Sequence, residues 1–162
     1  FLGPDHDLTL SALKNLANAC QEAGRLDEAT SLFERVLTDS IRILGPDDPG
    51  TFISRNNLAG AYQALRRINK AIPLFQQNLT DSTRVLGSDH HDTVVFRNNL
   101  ANAYAIAGKI DRAIPLFEQN LEDRTRTLGP AHPVTLTSRG NLASAYRAAG
   151  RMEDAEKLFG TP

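Results

Sequence analysis

Tryptophan is absent from the 162 residues, aromatic residues of all kinds make up 6%, and cysteine occurs once, as Cys20. A single thiol cannot close an internal disulfide and leaves too few soft ligands for a cysteine-based zinc or iron–sulfur site. With so few rings, the core has to be built from aliphatic side chains, alanine and leucine above all. Charge of one sign is not in excess either: 18 Lys and Arg oppose 19 Asp and Glu. The basic footprint of a dedicated nucleic-acid binder is therefore missing. No apolar run reaches the roughly 18 residues of a membrane span, and no basic stretch followed by an apolar one marks a signal peptide; the expected compartment is the cytoplasm. Phosphate-loop, zinc-protease and nucleophile-elbow patterns are not found. The four histidines, His6, His90, His91 and His132, are spread over separate segments without ligand spacing, so capping or exposure is expected of them. Neither an enzyme nor a bound cofactor or metal is expected.

What the chain does contain is repetition. Leu-Gly recurs at Leu2-Gly3, Leu44-Gly45, Leu86-Gly87 and Leu128-Gly129, each 42 residues after the last. Segments 44–85 and 86–127 agree at 23 of 42 positions, including Asn56-Asn57-Leu58-Ala59 against Asn98-Asn99-Leu100-Ala101 and Ile72-Pro73-Leu74-Phe75 against Ile114-Pro115-Leu116-Phe117. The expected organisation is a single array with units 2–43, 44–85, 86–127 and a shortened 128–160. Phe1-Leu2 reads as the tail of a preceding copy, and the array is expected to be a piece of a longer protein.

Each unit holds two helical patterns. Asp48-Pro49 supplies an N-cap and a proline at the first helical position, where its missing N–H costs nothing. Phe52, Leu58, Ala59, Tyr62 and Leu65 then form an apolar stripe of period 3.6, which predicts a helix A over 49–65. Asn69 is a candidate cap for a second stripe, Ala71, Ile72, Leu74, Phe75 and Leu79, which closes at Gly87, predicting a helix B over 70–86 with Pro73 in its first turn. No alternation of period two is long enough for a strand. The chain should be all α, its short connections packing A and B antiparallel.

The spacing Leu58-Ala59, Tyr62, Ala71, Phe75 and its copies Leu100-Ala101, Tyr104, Ala113, Phe117, with Leu16-Ala17, Cys20, Ala29, Phe33 and Leu142-Ala143, Tyr146, Ala155, Phe159, resembles the tetratricopeptide repeat (TPR) over essentially the whole chain. Two features depart from the common pattern: the period is 42 rather than 34, and Arg or Leu replaces the first aromatic. In both respects the chain is similar to the long repeats of kinesin light chains and to those appended to bacterial signalling ATPases of the STAND type. Arg outnumbering Lys 14 to 4 leans toward a bacterial source.

The resemblance implies a right-handed superhelical solenoid whose concave wall, lined by A helices, binds a protein or peptide. Projected onto this chain, the family's inward positions are Ser11, Lys14, Asn15 and Asn18; Ile53, Asn56, Asn57 and Gly60; Val95, Asn98, Asn99 and Asn102; and Thr137, Gly140, Asn141 and Ser144. An Asn amide offers two donors and an acceptor, suited to pairing with an extended peptide backbone. Asn is also a mediocre helix former, so a column of them in helix interiors calls for a reason beyond propensity. Two readings stand: the amides clamp a partner's backbone, or they hydrogen-bond neighbouring helices and specify stacking. Ile53 and Val95 either touch a ligand or cover core. Lys14 and Asn18 match the start of a carboxylate clamp, but the later units lack its second basic pair.

A charged column, Arg55, Arg97 and Arg139, is expected to pair with Asp39, Asp81 and Asp123 near the ends of the preceding B helices, tying each unit to the one before. Arg42, Arg84 and Arg126 should pair with the acid three residues earlier. Cys20 stands where later copies have tyrosine and should be a buried small hydrophobe. The expected function is a scaffold for protein–protein interaction. The alternative is self-association, end to end, through Leu10, Leu13, Leu158 and Phe159.

Overall fold

The computed structural model describes residues 7–160; Leu2-Gly3 and His6, and the expectations attached to them, lie outside these. Every regular element is an α-helix, and the described residues contain no strand. They divide into two compact units, Phe1–Gly87 and Ser88–Pro162.

In the first unit, α1 (Asp7–Glu22), α2 (Leu26–Ile43), α3 (Pro49–Ala64) and α4 (Ile68–Leu86) pack each against the next in chain order. Their direction is fixed by side chains at opposite ends. Ser40, late in α2, shares a 2.8 Å hydrogen bond with Ser54, early in α3, and Arg55, early in α3, reaches Asp81, late in α4. Both pairs require antiparallel neighbours. The second unit repeats the plan with α5 (His91–Ile106), α6 (Ile110–Leu128), α7 (Pro133–Ala148) and the six-residue α8 (Met152–Lys157).

The core is the column of small and medium residues that the repeat spacing supplies. Ala17, Ala59, Ala101 and Ala143 are wholly buried, as are Ala29, Ala71 and Ala113, and Ala155 is almost so. Methyl-sized side chains at both places let the two helices of a hairpin approach closely. Phe33, Phe75 and Phe117 then fill the remaining space, with Tyr62, Tyr104 and Tyr146 buried beside them. Cys20 occupies the tyrosine position of the first hairpin and is buried and reduced, as its place in the stripe predicts.

The A helices start as their sequences foretell. Asp48 Oδ1 accepts from Gly50 N at 2.7 Å, with Pro49 at the first helical position. At the corresponding places His90 and His132 do the same work, each Nδ1 accepting at 3.2 Å from Asp92 N and Val134 N. An imidazole accepts there only with Nδ1 unprotonated.

The B helices start differently. Asn69 is not the cap: α4 begins at Ile68, after Arg67, which makes no side-chain capping bond. The turn is closed by backbone instead. Arg67 N–H reaches back to Tyr62 O at 2.8 Å, the six-to-one bond of a Schellman turn. Since the helix begins two residues early, Pro73 and Pro115 sit in its second turn rather than its first. The carbonyls four residues before them, on Asn69 and Asp111, belong to exposed residues and can turn to water.

Candidate functional site

The residues proposed to face a partner lie on α1, α3, α5 and α7, and none of them is buried. On α1, Lys14 is half-buried while Asn15 and Asn18 are exposed; on α3, Asn56 and Asn57 are half-buried and Ile53 is exposed. Val95, Asn98, Asn99 and Asn102 of α5 and Asn141 of α7 are half-buried. These are the opposite faces from Leu58, Leu100 and Leu142, which are buried. Lys14 carries the only charge in the set.

In the second unit several of them come together. Asn141 Nδ2 approaches Asn98 Oδ1 at 3.5 Å, joining α7 to α5. Next to this pair, Asn102, Asn141 and Ser144 line a cleft of about 230 Å3 whose floor is Ala105, Ile110, Phe117 and Ala145. Amide and hydroxyl groups thus rim a small apolar hollow, a combination that can hydrogen-bond a peptide backbone and accept a modest side chain. The Asn98–Asn141 contact joins residues one step apart in the repeat, so the amides tie neighbouring A helices as well as face outward.

The charged column is a correction to the sequence reading. Arg55 does not pair with Asp39, nor Arg97 with Asp81. Arg55 Nη1 donates to Asp81 Oδ2 at 2.9 Å and Arg97 Nη1 to Asp123 Oδ2 at 2.6 Å, each across its own hairpin to the B helix that follows. Both guanidinium groups are buried, and each also donates to a wholly buried amide, Asn78 Oδ1 at 3.3 Å and Asn120 Oδ1 at 3.4 Å. These pairs hold a hairpin shut rather than joining one unit to the next. Nor does Arg139 pair with Asp123, which Arg97 and Arg126 hold; its Nη2 reaches Pro130 O at 3.4 Å.

The short-range pairs are as expected. Arg42 meets Asp39 at 3.1 Å, Arg84 meets Asp81 at 3.9 Å and Arg126 meets Asp123 at 3.2 Å. Missing from the sequence reading is their extension to the connectors, where Arg84 binds Asp47 and Arg126 binds Asp89 at 2.9 Å. Hydrogen bonding from Arg84 lowers the Asp47 pKa, and bonds from Ser88 and Arg126 lower that of Asp89. The 37-residue separation of Arg84 from Asp47 and of Arg126 from Asp89 repeats in both units, a signal that was present in the alignment of the copies.

Adjacent hairpins within a unit are joined by other groups. Tyr62 donates its hydroxyl to Glu34, and Tyr146 donates to Glu118 at 2.6 Å. Arg124 in α6 reaches Ser138 of α7 at 3.2 Å, where α2 and α3 have the Ser40–Ser54 pair. A second cavity, about 390 Å3, opens beside Val94, Leu128 and Val134; Val94 there holds the position that the larger Phe52 fills in the first unit.

Comparison with known proteins agrees with this arrangement. Models of the family described as tetratricopeptide repeat match residues 50–122 and 94–160, and a related one matches 9–50. The solved structure of nearly identical TPR-like repeats from a Podosopora anserina protein named for kinesin light chain is 32% identical, with a TM-score of 0.84, covering 98% of this chain and 75% of that one. BtubC (BKLC) from P. vanneervenii is 27% identical with a TM-score of 0.85, covering 94% of this chain and 61% of that one. No curated protein sequence matches. With repeat models covering most of its length and a solved relative of this identity, the chain belongs to the tetratricopeptide repeat family.

Proposed function

We propose that this chain binds an extended segment of another protein along the amide-bearing face of its A helices. Tetratricopeptide repeats serve as scaffolds for protein–protein interaction, and the family membership supports that coarser role. The finer reading assigns the contacts to Lys14, Asn15 and Asn18, Ile53, Asn56 and Asn57, Val95, Asn98, Asn99 and Asn102, and Asn141, contributed by units 2–43, 44–85, 86–127 and 128–160. The observation that carries it is the cleft rimmed by Asn102, Asn141 and Ser144 over an apolar floor. Amides placed there meet the demand of a backbone that offers a donor and an acceptor at every residue. Repetition of the same groups favours a partner read along its length over a small molecule held in one pocket.

The test is selection of unstructured peptides on the immobilised chain, followed by titration of the selected peptides against Asn102→Ala combined with Asn141→Ala. The expected result is at least about tenfold weaker binding, the loss of roughly 1.4 kcal/mol of hydrogen bonding, with a melting temperature close to the parent's. A large fall in melting temperature with unchanged affinity assigns the amides to stacking and ends the proposal.

A further inference from the structure

We infer that the cavity walled by the start of α5, the end of α6 and the start of α7 binds a carboxylate carried on an apolar body, with Arg124 as the group that holds it. The repeat is broken at three positions here. Where Phe52 stands wholly buried in α3, α5 has the smaller Val94, and the cavity beside it measures about 390 Å3. Where Ser40 and Ser82 are wholly buried in α2 and α4, α6 has the half-buried Arg124. Where Asp48 caps α3, His132 caps α7 without a negative charge. Added space, an added cation and a removed anion thus coincide in one place.

Asp89 and Asp123 also line the cavity, but both are held. Arg126 Nη2 lies 2.9 Å from Asp89 and 3.2 Å from Asp123, and Arg97 Nη1 lies 2.6 Å from Asp123. Two carboxylates matched by two guanidinium groups leave the charge of Arg124 uncompensated. Among the described residues it forms no ion pair. Its bonds go to neutral oxygens, Nη1 donating to Ser138 Oγ at 3.2 Å and to Val134 O at 3.4 Å, so Nη2 is left for another acceptor. Burial alone lowers its pKa. A carboxylate meeting Nη2 would supply the missing counter-charge through a charge-assisted bond. His132 lines the same cavity, and because its Nδ1 accepts from Val134 N, its Nε2 carries the proton and is a second donor. Val94, Leu128 and Val134 form the apolar wall, where Leu128 and Val134 are 46% and 38% exposed. A purely apolar ligand leaves the cation unmatched, and an inorganic anion leaves that wall in water. The cavity is small for a ligand site, which suits an acid of modest length or the last residue of a polypeptide.

The probe is octanoate, titrated into the full chain by calorimetry, with octanol and acetate as ligands that lack the charge and the apolar body. One saturable site per chain is expected, with octanol and acetate each at least about tenfold weaker. Two variants copy residues that the repeat itself places here, so both should keep the parent's melting temperature. Arg124→Ser, after Ser40 and Ser82, should reduce octanoate to the affinity of octanol. Val94→Phe, after Phe52, should abolish binding of both by filling the space. Asn102→Ala with Asn141→Ala should leave octanoate binding unchanged, which separates this cavity from the amide-bearing face. A tripeptide ending in leucine tells the two sources of the carboxylate apart: binding tighter than octanoate and lost on amidation of its terminus assigns a chain end, weaker binding a free acid. Absence of saturable binding, equal affinity for octanol, or octanoate binding indifferent to both Arg124→Ser and Val94→Phe overturns the inference.

Discussion

Arg97 and Asp123 lie 2.6 Å apart with their side chains 3% and 12% exposed, a charge pair enclosed within one hairpin. Asn120 accepts a bond from the same guanidinium, and Arg126 holds the outer oxygen of the same carboxylate. The first hairpin replaces the guanidinium and the amide of this set by hydrocarbon and keeps the carboxylate as Asp39, which Arg42 holds. Leu13 stands where the arginine would be and Val36 where the amide would be, and Val36 is fully buried.

That substitution within the chain sets a prediction. Arg97→Ala leaves Asp123 and Asn120 facing a hole without their donor and should cost about 3–5 kcal/mol. Arg97→Leu combined with Asn120→Val, copying Leu13 and Val36, removes the guanidinium and the amide together and leaves Asp123 its bond to Arg126, so it should cost less. Urea unfolding of the three proteins measures the difference. Equal destabilisation by the single and the paired change would show that the hairpin depends on the charge itself.

The turn between α3 and α4 sets a second. Arg66 has φ 58, the left-handed region, where the equivalent residues are Gly24, Gly108 and Gly150 with φ 74, 71 and 75. A side chain in that conformation costs about 1–2 kcal/mol. Part of the gain on removing it is offset by the greater freedom glycine brings to the unfolded chain, about 0.4–1 kcal/mol. Arg66→Gly should therefore stabilise the first unit by somewhat under about 1 kcal/mol, read as a higher denaturation midpoint. Arg66→Ala, which keeps a Cβ, should not.

Tyr146 sets a third, in pH. Burial and its hydrogen bond to Glu118 push the phenol up to about 12 from an ordinary value of 10.0. The folded state thus holds its proton where the unfolded state has begun to lose it. Stability from this group is complete below about pH 10 and falls as pH rises toward about 12, because the unfolded chain then binds fewer protons. Near-ultraviolet absorbance should show Tyr146 ionising late, and Glu118→Leu should bring its titration down while Tyr146→Phe removes that component. A Tyr146 phenol titrating at the ordinary value would contradict the bond.

How much of this was legible in the sequence depends on the kind of interaction. The A helices, their Asp48-Pro49 start and the buried Ala, Phe and Tyr columns were, because local capping chemistry and a 3.6-residue stripe act within a few residues. The start of α4 was not. Asn69 looked like a cap, but the backbone of Arg67 bonding back to Tyr62 closed the turn earlier, and a backbone bond leaves no mark on side-chain identity. The partner of Arg55 was not legible from spacing alone, since Asp39 and Asp81 recur with the same period. The exchange of Arg55 and Asn78 for Leu13 and Val36 was the available clue.

The sequence by itself therefore determined the repeat, its helical class and which side chains must leave water, all of which follow from chain-local periodicity and the free energy of burying hydrocarbon. Only the tertiary structure decided which acid closes on which arginine and that Asn98 meets Asn141. Those outcomes depend on the rotation of each helix about its axis, a quantity set by packing between segments distant in the chain.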